Sequence, residues 1–224
     1  MPTRASCRVI FFLLMSPTEP AIKKTFAYID GQNLFKAARE AFGYTYPNYD
    51  IPKLAQAICS QHGCQLDRVH FYTGIPEQSD HPGWNHFWRG KLAVMGRQAV
   101  RVFSRHLRYR ERTVRLPNGT THTFLVGEEK GIVVRLALDV VRAVRRAECA
   151  VVLIFSQDQD LSEVADEIRL MAHEQGHWVK IASVFPFSAT SANRHGINKT
   201  DWIRIDRATY DACLDSRDYR PAHP

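Results

Sequence analysis

The regular alternation of short apolar runs with longer segments of helical periodicity constrains the fold of this chain more than any other feature. The apolar runs have the length of strands and occupy residues 26–29, 68–74, 99–103, 150–155, 178–185 and 202–206. Segments with apolar residues at helical spacing occupy residues 34–41, 51–63, 81–96, 131–146 and 161–175. Strands separated by helices form mainly parallel sheets that are covered on both faces. The sequence therefore predicts an α/β fold, a three-layer α/β/α sandwich around a mainly parallel central sheet.

Two of the predicted strands end in acidic residues. The run in "TFAYIDGQNLF" ends at Asp30 and is followed by Asn33, while "VVLIFSQDQDLSEV" leads through Ser156 to Asp158 and Asp160. In open α/β sheets, ligands bind beyond the carboxyl ends of the strands. We therefore expect these five polar side chains to share one site.

Clustered carboxylates favour a bound cation, because they repel one another and lose hydration when they are packed together. Mg²⁺ prefers oxygen ligands and keeps several waters, and Mg²⁺ or Mn²⁺ in such a site can orient a phosphate and activate a water. The net charge of +7 and the sequence pI of about 9.3 favour an anionic partner such as nucleic acid. Acids and charge together indicate metal-assisted chemistry on a polyanion.

At the level of sequence, the acids are also compatible with a structural role and with two further enzyme classes. Asp158 and Ser156 can cap the helix that is predicted to begin near Leu161. A phosphatase with an aspartate nucleophile carries a second aspartate two residues later, usually after its first strand, whereas the first strand here ends in "DGQN". A sugar-nucleotide transferase can hold manganese with an Asp-x-Asp turn, although this chain of 224 residues is short for that fold.

The segment "RYRERTVRLPNGTTHTFLV" predicts a protruding β-hairpin. Its Pro-Asn-Gly sequence is strong turn chemistry between two arms rich in β-forming residues. The first arm carries Arg108, Arg110, Arg112 and Arg115. These arginines suit a phosphate backbone, but charges on an exposed hairpin also prevent edge-to-edge aggregation. Both interpretations stay open.

Residues 1–24 are predicted to lie outside a single domain that covers residues 25–219. The apolar run at residues 9–15 is too short to span a bilayer and is not followed by a small-residue cleavage site, although a signal peptide remains an alternative. A chain that starts at Met15 is expected to fold as well as the full chain. No other segment approaches the length of a membrane span.

The cysteines indicate a reducing compartment, which we expect to be the cytoplasm. There are five, at scattered positions, and this is not the pattern of a secreted disulfide framework. Cys59, His62 and Cys64 lie together in "CSQHGC", but no second pair with the spacing of a zinc finger follows. These residues therefore favour packing at a helix end over zinc binding. Composition leaves the oligomeric state open between monomer and homodimer.

Three segments in order resemble the signature segments of the NYN domain, the LabA-like branch of the PIN-like nucleases. They read "YIDGQNL", "EEKGIVVRLALDVV" and "FSQDQDLSEVADEI", and the tail "GINKTDWIRIDRATYDACLD" is similar to the end of one proteobacterial subgroup. The resemblance covers about residues 25–219. It implies a PIN-like α/β/α sandwich and a metal-dependent endoribonuclease that uses Mg²⁺ or Mn²⁺ to hydrolyse RNA.

The resemblance also implies roles for individual residues. By position, the metal-site acids would be Asp30, Asp158 and Asp160, with Asn33 and Ser156 organising them. Asp139 would be a further signature acid with a catalytic role. Glu129 is expected as a further metal ligand because it lies at the start of the next helix, and not because of the family pattern. Side chains expected to bind RNA lie on the hairpin, beside the following helix and in the polar loop before the last strand: Arg108, Arg110, Arg112, Lys130, Arg194, Asn198 and Lys199.

The chain departs from the family pattern at one position. The family's middle segment usually reads Lys-Gly-Ile/Val-Asp, whereas Val133 occupies the place of the acid here. Asp139 lies six residues further on, roughly 9 Å along a helix, so Glu128 and Glu129 are nearer replacements. If an acid is missing, Val133→Asp should increase Mg²⁺ affinity and cleavage. If a glutamate already completes the site, activity should fall or stay level. A catalytically weakened RNA-binding module is therefore the alternative function.

Overall fold

The computed structural model describes residues 17–221, so the apolar run at residues 9–15 and most of the predicted extension lie outside the described residues. The strands of the described part are β1 Lys24–Asp30, β2 Gln65–Ile75, β3 Arg101–His106, β4 Arg108–Arg115, β5 Thr121–Glu128, β6 Val151–Phe155, β7 Lys180–Pro186 and β8 Asp201–Ile205. Its α-helices are α1 Gly31–Phe42, α2 Ile51–Gln61, α3 Pro82–Arg97, α4 Ile132–Arg145, α5 Ser162–Gln175 and α6 Arg207–Asp211. None of the helices between residues 17 and 221 combines the length and apolar character that a bilayer crossing requires.

Six of these strands form a central sheet in the order β3-β2-β1-β6-β7-β8, and every neighbouring pair is parallel. The chain moves outward from β1 to β3, returns to the middle of the sheet at β6, and moves outward again to β8. The direction of winding therefore reverses between β1 and β6. Crevices form at such switch points beyond the carboxyl ends of the strands.

Helices cover both faces of the sheet, which confirms the predicted three-layer sandwich. Side chains alternate along β1, so Ala27 and Ile29 pack with α1, α2 and α3, while Phe26 and Tyr28 pack with α4 and α5. All four of these side chains are buried. Cys59 lies in the first of these two cores and is fully buried. The strands thus present apolar residues on both faces, as expected for a parallel sheet between helical layers.

Strands β4 and β5 form a separate antiparallel hairpin in the connection between β3 and α4. Eight residue pairs join the strands, and the turn lies where the Pro-Asn-Gly sequence predicts it. Almost all of the hairpin is exposed to solvent. The predicted basic hairpin is therefore confirmed.

Several predicted boundaries move by a few residues. Strand β3 begins at Arg101 and not at Ala99, because Ala99 has a φ of 61° and Val100 donates a hydrogen bond to the carbonyl of Met95 at the end of α3. Strand β1 begins at Lys24, the last residue of the predicted extension, whose carbonyl accepts a 2.8 Å hydrogen bond from Ala150. The sequence patterns did not predict the short helix α6.

The segment after β8 is attached to the body of the protein through a buried lysine. Lys91 on α3 is 1% exposed, and its ammonium donates a 2.7 Å hydrogen bond to the carbonyl of Tyr49. It also lies 3.4 Å from the carboxylate of Asp215. Burial lowers the pKa of Lys91 to about 8, and the charge of Asp215 opposes that decrease. This contact attaches the segment after β8 to α3.

Lys91→Ala is expected to lower the free energy of unfolding by about 3 kcal/mol, because it leaves a buried carboxylate without its lysine partner. Lys53→Ala on the exposed side of α2 is the matched control and should change the stability by less than about 0.5 kcal/mol. Urea denaturation of both variants measures the two effects. Equal stability of the Lys91 variant and the wild type would show that this contact does not hold the segment.

Candidate active site

Asp30 lies at the end of β1 and at the start of α1. One oxygen of its carboxylate accepts a 3.0 Å hydrogen bond from the backbone of Asn33, which caps the helix. The other oxygen is 3.5 Å from the hydroxyl of Ser156. Asp30 is only 4% exposed, so burial raises the pKa of its carboxyl, and the charge of Asp158 raises it further. The exposed Lys36 and the backbone bond from Asn33 oppose that rise.

The loop after β6 is fixed against this acid by polar contacts. The side-chain oxygen of Asn33 accepts a 2.9 Å hydrogen bond from the backbone of Gln157. The hydroxyl of Ser156 accepts a 3.2 Å hydrogen bond from the backbone of Asp158. The carbonyl of Ser156 accepts a 2.6 Å hydrogen bond from the hydroxyl of Ser183 on β7. Asn33 and Ser156 therefore join the ends of β1, β6 and β7 on one edge of the sheet.

Asp158 and Asp160 follow in the same loop and are more exposed to solvent than Asp30. Asp158 is partly buried, and its carboxylate accepts a 3.1 Å hydrogen bond from the backbone of Asp160. It thereby caps a 3₁₀ turn over Gln159–Leu161, and not α5, whose first turn has no side-chain cap. Asp160 is exposed. Capping thus explains one oxygen of Asp158 and leaves its second oxygen for other contacts.

Glu129 approaches the same edge of the sheet from the end of the hairpin. Its carboxylate accepts a hydrogen bond from the backbone of Gly74 on β2, two residues after Tyr72, which pairs with Asp30 across the sheet. A Cβ atom at position 74 would lie 2.7 Å from the Cγ atom and 2.7 Å from an oxygen of Glu129, so glycine is what leaves room for this carboxylate. Burial raises the pKa of Glu129 to about 7, and the charge of Asp30 adds to the rise. Glu129 is therefore close enough to Asp30 for the charge of Asp30 to affect its pKa.

Asp139, the further catalytic acid expected from the sequence, lies apart from this group. Its carboxylate accepts hydrogen bonds of 3.0 Å from the hydroxyl of Tyr72 and 2.8 Å from Arg135, and Arg142 is 3.4 Å away. It therefore belongs to an arginine-rich region under α4. Helical spacing explains the result, since six residues carry Asp139 well down the helix from its first turn.

Val133 and Glu128 contact groups other than the acids of this site. Val133 packs against the apolar core beneath α4. Glu128 forms ion pairs with Arg112 at 3.0 Å, Lys130 at 3.4 Å and Arg110 at 3.8 Å. Of the two glutamates named as replacements for the missing acid, only Glu129 is placed beside Asp30.

The loop before β8 approaches the acids through two glutamines that the sequence patterns did not single out. The side chain of Gln157 donates a 2.8 Å hydrogen bond to the carbonyl of His195, and Gln159 donates a 2.9 Å bond to the carbonyl of Gly196. Gln159 also accepts a 3.1 Å bond from the backbone of Asn198. The one feature of the sequence that could have indicated these two glutamines is their place beside the aspartates in "SQDQD".

Arg194 and Lys199, which were expected to bind RNA from that loop, have protein partners of their own. Arg194 donates hydrogen bonds of 3.2 Å and 2.8 Å to the carbonyls of Ser191 and Ala189. Lys199 pairs with Asp166 on α5. Arg194 therefore shapes the loop, and Lys199 attaches it to α5.

The chemistry of the acids fits a hard divalent cation. Among residues 17–221, no three His, Cys, Asp or Glu side chains are arranged to hold a metal ion directly. Mg²⁺ usually binds one or two carboxylates and completes its shell with water, so a smaller set is sufficient. Burial raises the pKa values of Asp30 and Glu129, and the charges of Asp158 on Asp30 and of Asp30 on Glu129 add to the rise. The exposed Lys36 is the one cation that opposes it among the causes of both shifts. A metal would remove that penalty.

A parallel six-stranded sheet between two helical layers, with acids at its switch point, is consistent with a PIN-like α/β fold. The sequence profile of the NYN domain matches residues 24–196, so the chain belongs to the NYN domain family and to the PIN-like nuclease superfamily. The fold is similar to the crystal structure of a protein of unknown function from Vibrio parahaemolyticus RIMD 2210633, with a TM-score of 0.52 and 15% identity over 85% of this chain and 97% of that chain. A comparison with curated proteins gave no match.

Proposed function

We propose that this protein is an endoribonuclease that hydrolyses RNA phosphodiester bonds with Mg²⁺ or Mn²⁺ at the carboxyl edge of its sheet. The observation that carries the proposal is the convergence of Asp30 and Glu129, from different elements, at one edge of the sheet with raised pKa values. Family membership supports a nuclease, and the net charge of +7 favours a polyanionic substrate.

In this proposal, the acids hold the metal and the neighbouring polar groups hold the acids. Asp30 and Glu129 would bind the ion directly, and Asp158 and the exposed Asp160 would act through its bound waters. Asn33 and Ser156 fix the carboxylate of Asp30 by the contacts described above. When bound, Mg²⁺ or Mn²⁺ polarises a phosphate and lowers the pKa of a water. In this proposal Asp139 is not a metal ligand, because Arg135 and Arg142 pair with its carboxylate.

Glu129 takes the place of the acid that the family carries where this chain has Val133. Glu129 lies next to Lys130 in the chain, and its carboxylate accepts a hydrogen bond from the backbone of Gly74 at the edge of the sheet. The missing side chain at Gly74 leaves space for this carboxylate. The geometry therefore favours the second of the two expectations for Val133→Asp, in which an added charge brings no gain.

The hairpin supplies a surface for the RNA backbone. Residues opposite each other in the antiparallel pair lie on the same face, so Arg108, Arg110 and Arg112 share one face with Phe124 and His122. The rings of Phe124 and His122 stack with centroids 5.9 Å apart, and Phe124 is 42% exposed. Arginine beside exposed aromatic rings is the combination that binds single-stranded nucleic acid.

The double substitution Arg108→Gln/Arg110→Gln is expected to weaken RNA binding and to reduce the slope of log K against log salt by about 1.4, or 0.7 for each phosphate contact. Arg115→Gln is the matched control, because Arg115 lies on the opposite face of the same hairpin. Fluorescence anisotropy with a labelled single-stranded RNA at several salt concentrations measures both. Equal losses of RNA affinity in the two variants would mean that the hairpin contributes only nonspecific positive charge to binding.

A catalytically weakened RNA-binding module is the second candidate. Val133 in place of an acid favours it, as does the lack of a direct three-ligand group among residues 17–221. Incubation of the purified protein with structured and single-stranded RNAs, with and without Mn²⁺, separates the candidates. Internal cleavage that requires Mn²⁺ supports the nuclease, and binding without cleavage supports the module.

We also propose a cytoplasmic location for the protein. Four cysteines in the described part are free, and Cys59, Cys149 and Cys213 are buried, which suits a reducing compartment. The proposed domain runs from residue 25 to residue 219, because the segment after β8 is attached to α3 through Lys91.

A further inference from the structure

A cavity of about 450 Å³ lies between β2, β3 and α4, away from the acids of the proposed active site. Five arginines from three elements and the connection after α4 line it: Arg68, Arg101, Arg135, Arg142 and Arg146. Its floor includes His70 on β2, and the partly buried Val102 and Phe103 provide apolar surface at one side. The volume is in the range of small-molecule binding sites.

The charges of the cavity are not balanced by the protein. Asp139 binds Arg135 and Arg142, while Glu148 binds Arg68 at 2.6 Å and Arg146 at 3.7 Å. The five guanidinium groups and two carboxylates of the lining give a formal net charge of +3, which Asp67, 3.4 Å from Arg68, reduces to +2. Within residues 17–221, Arg101 has no acidic partner. The cavity is thus short of negative charge.

His70 adds a ring nitrogen without a hydrogen-bonding partner. It is 9% exposed and stacks on Tyr28 with ring centroids 4.8 Å apart. Its Nδ1 atom is 3.5 Å from the hydroxyl of Tyr72, but its buried Nε2 atom has no partner in the described part of the chain. Burial and the charge of Arg101 lower the pKa of His70 to about 4, so the ring is neutral at physiological pH. Buried polar atoms of this kind are rare in native proteins.

We propose that this cavity binds the terminal phosphate of a nucleotide, carried either by a free mononucleotide or by the end of an RNA chain. A terminal phosphate carries close to two negative charges, which match the excess of positive charge, and arginine forks bind phosphate oxygens in pairs. The nucleoside lies toward Phe103 and Val102. This site is separate from the acids, so it does not depend on the proposed cleavage reaction.

The test compares three probes: AMP, a 5′-phosphorylated single-stranded RNA, and the same RNA with a 5′-hydroxyl. Their affinities are measured by calorimetry or anisotropy for the wild type and for Arg101→Gln/Arg142→Gln. We expect the double substitution to weaken binding of a phosphorylated probe by at least about tenfold, because two charged hydrogen-bond donors are lost. Arg145→Gln is the matched control, since Arg145 is an exposed residue of α4 that does not line the cavity, and we expect a change below about twofold.

The outcomes separate the sources of the phosphate. Loss of AMP binding in the double variant identifies a mononucleotide site, and loss restricted to the phosphorylated RNA identifies an RNA end. Either result supports the proposal whether or not the protein cleaves RNA. The proposal is overturned if no phosphorylated probe binds the wild type, if the double variant binds both AMP and the phosphorylated RNA as tightly as the wild type, or if Arg145→Gln loses as much affinity as the double variant.

Discussion

Asp30→Asn should abolish RNA cleavage while the protein stays folded. Asparagine keeps the size of the side chain and an oxygen that can accept the hydrogen bond from the backbone of Asn33, so the cap of α1 is retained. It removes the negative charge that binds the metal. We expect a loss on the order of a hundredfold or more, because even outer-shell substitutions cost roughly 10- to 100-fold.

The same substitution should raise the thermal stability at neutral pH. Burial raises the pKa of the Asp30 carboxyl above its value in the unfolded chain, so the folded state binds the proton more tightly. The wild type therefore loses stability as the pH rises from the unfolded-state pKa through the folded-state pKa of Asp30. Because asparagine does not ionise, the melting temperature of the variant should exceed that of the wild type by more at pH 8 than at low pH. Melting curves at several pH values in EDTA measure this difference.

Asp50→Asn is the matched control for Asp30→Asn. Asp50 caps α2 by accepting a 3.1 Å hydrogen bond from the backbone of Lys53, in the same way that Asp30 caps α1. If Asp30 acts only as a cap, both variants should retain full cleavage. Unchanged cleavage in a folded Asp30 variant would remove Asp30 from the active site.

Glu129→Gln is expected to reduce cleavage by at least about tenfold and to weaken the dependence of the rate on Mg²⁺. The amide oxygen can still accept the hydrogen bond from Gly74, so the local geometry is retained while the charge is lost. Glu128→Gln is the control, since Glu128 pairs with hairpin cations and should change cleavage little. Val133→Asp should bring no gain, because Glu129 already provides the acid.

The effect of Glu129→Gln on stability should depend on pH in a defined direction. The pKa of Glu129 rises from 4.5 to about 7 on folding, so stability declines as the pH rises through this interval. At pH 8 and without metal, the ionised carboxylate costs on the order of 3 kcal/mol. The glutamine variant should therefore be more stable than the wild type at pH 8, and the difference should shrink toward pH 4.5. An equal difference at both pH values would show that the carboxylate does not titrate in this way.

The sequence predicted the sheet and its first acids because both depend on local patterns. Runs such as residues 150–155 are apolar on both faces, as parallel strands are, and Asp30 and Asp158 follow two such runs directly. Connection rules reduce the possible strand orders to a few, and the sequence did not select one of them. These features need no knowledge of side-chain contacts.

The remaining parts of the site depend on contacts between distant segments, which no local pattern shows. Glu129 reaches the edge of the sheet only because residue 74, on another strand, lacks a side chain. Asp139 occupies a signature position, but Arg135 and Arg142 on its own helix face hold it elsewhere. The arginine cavity likewise combines residues from β2, β3 and α4.

Titration of Mn²⁺ into the metal-free protein, followed by calorimetry, shows whether the acids at the carboxyl edge of the sheet form a metal centre. We expect one saturable site in the wild type that is lost in Asp30→Asn, weakened in Glu129→Gln and retained in Asp50→Asn. The same binding in the wild type and in the folded Asp30 variant, or no saturable binding by the wild type with RNA present, would contradict a metal centre at this edge of the sheet.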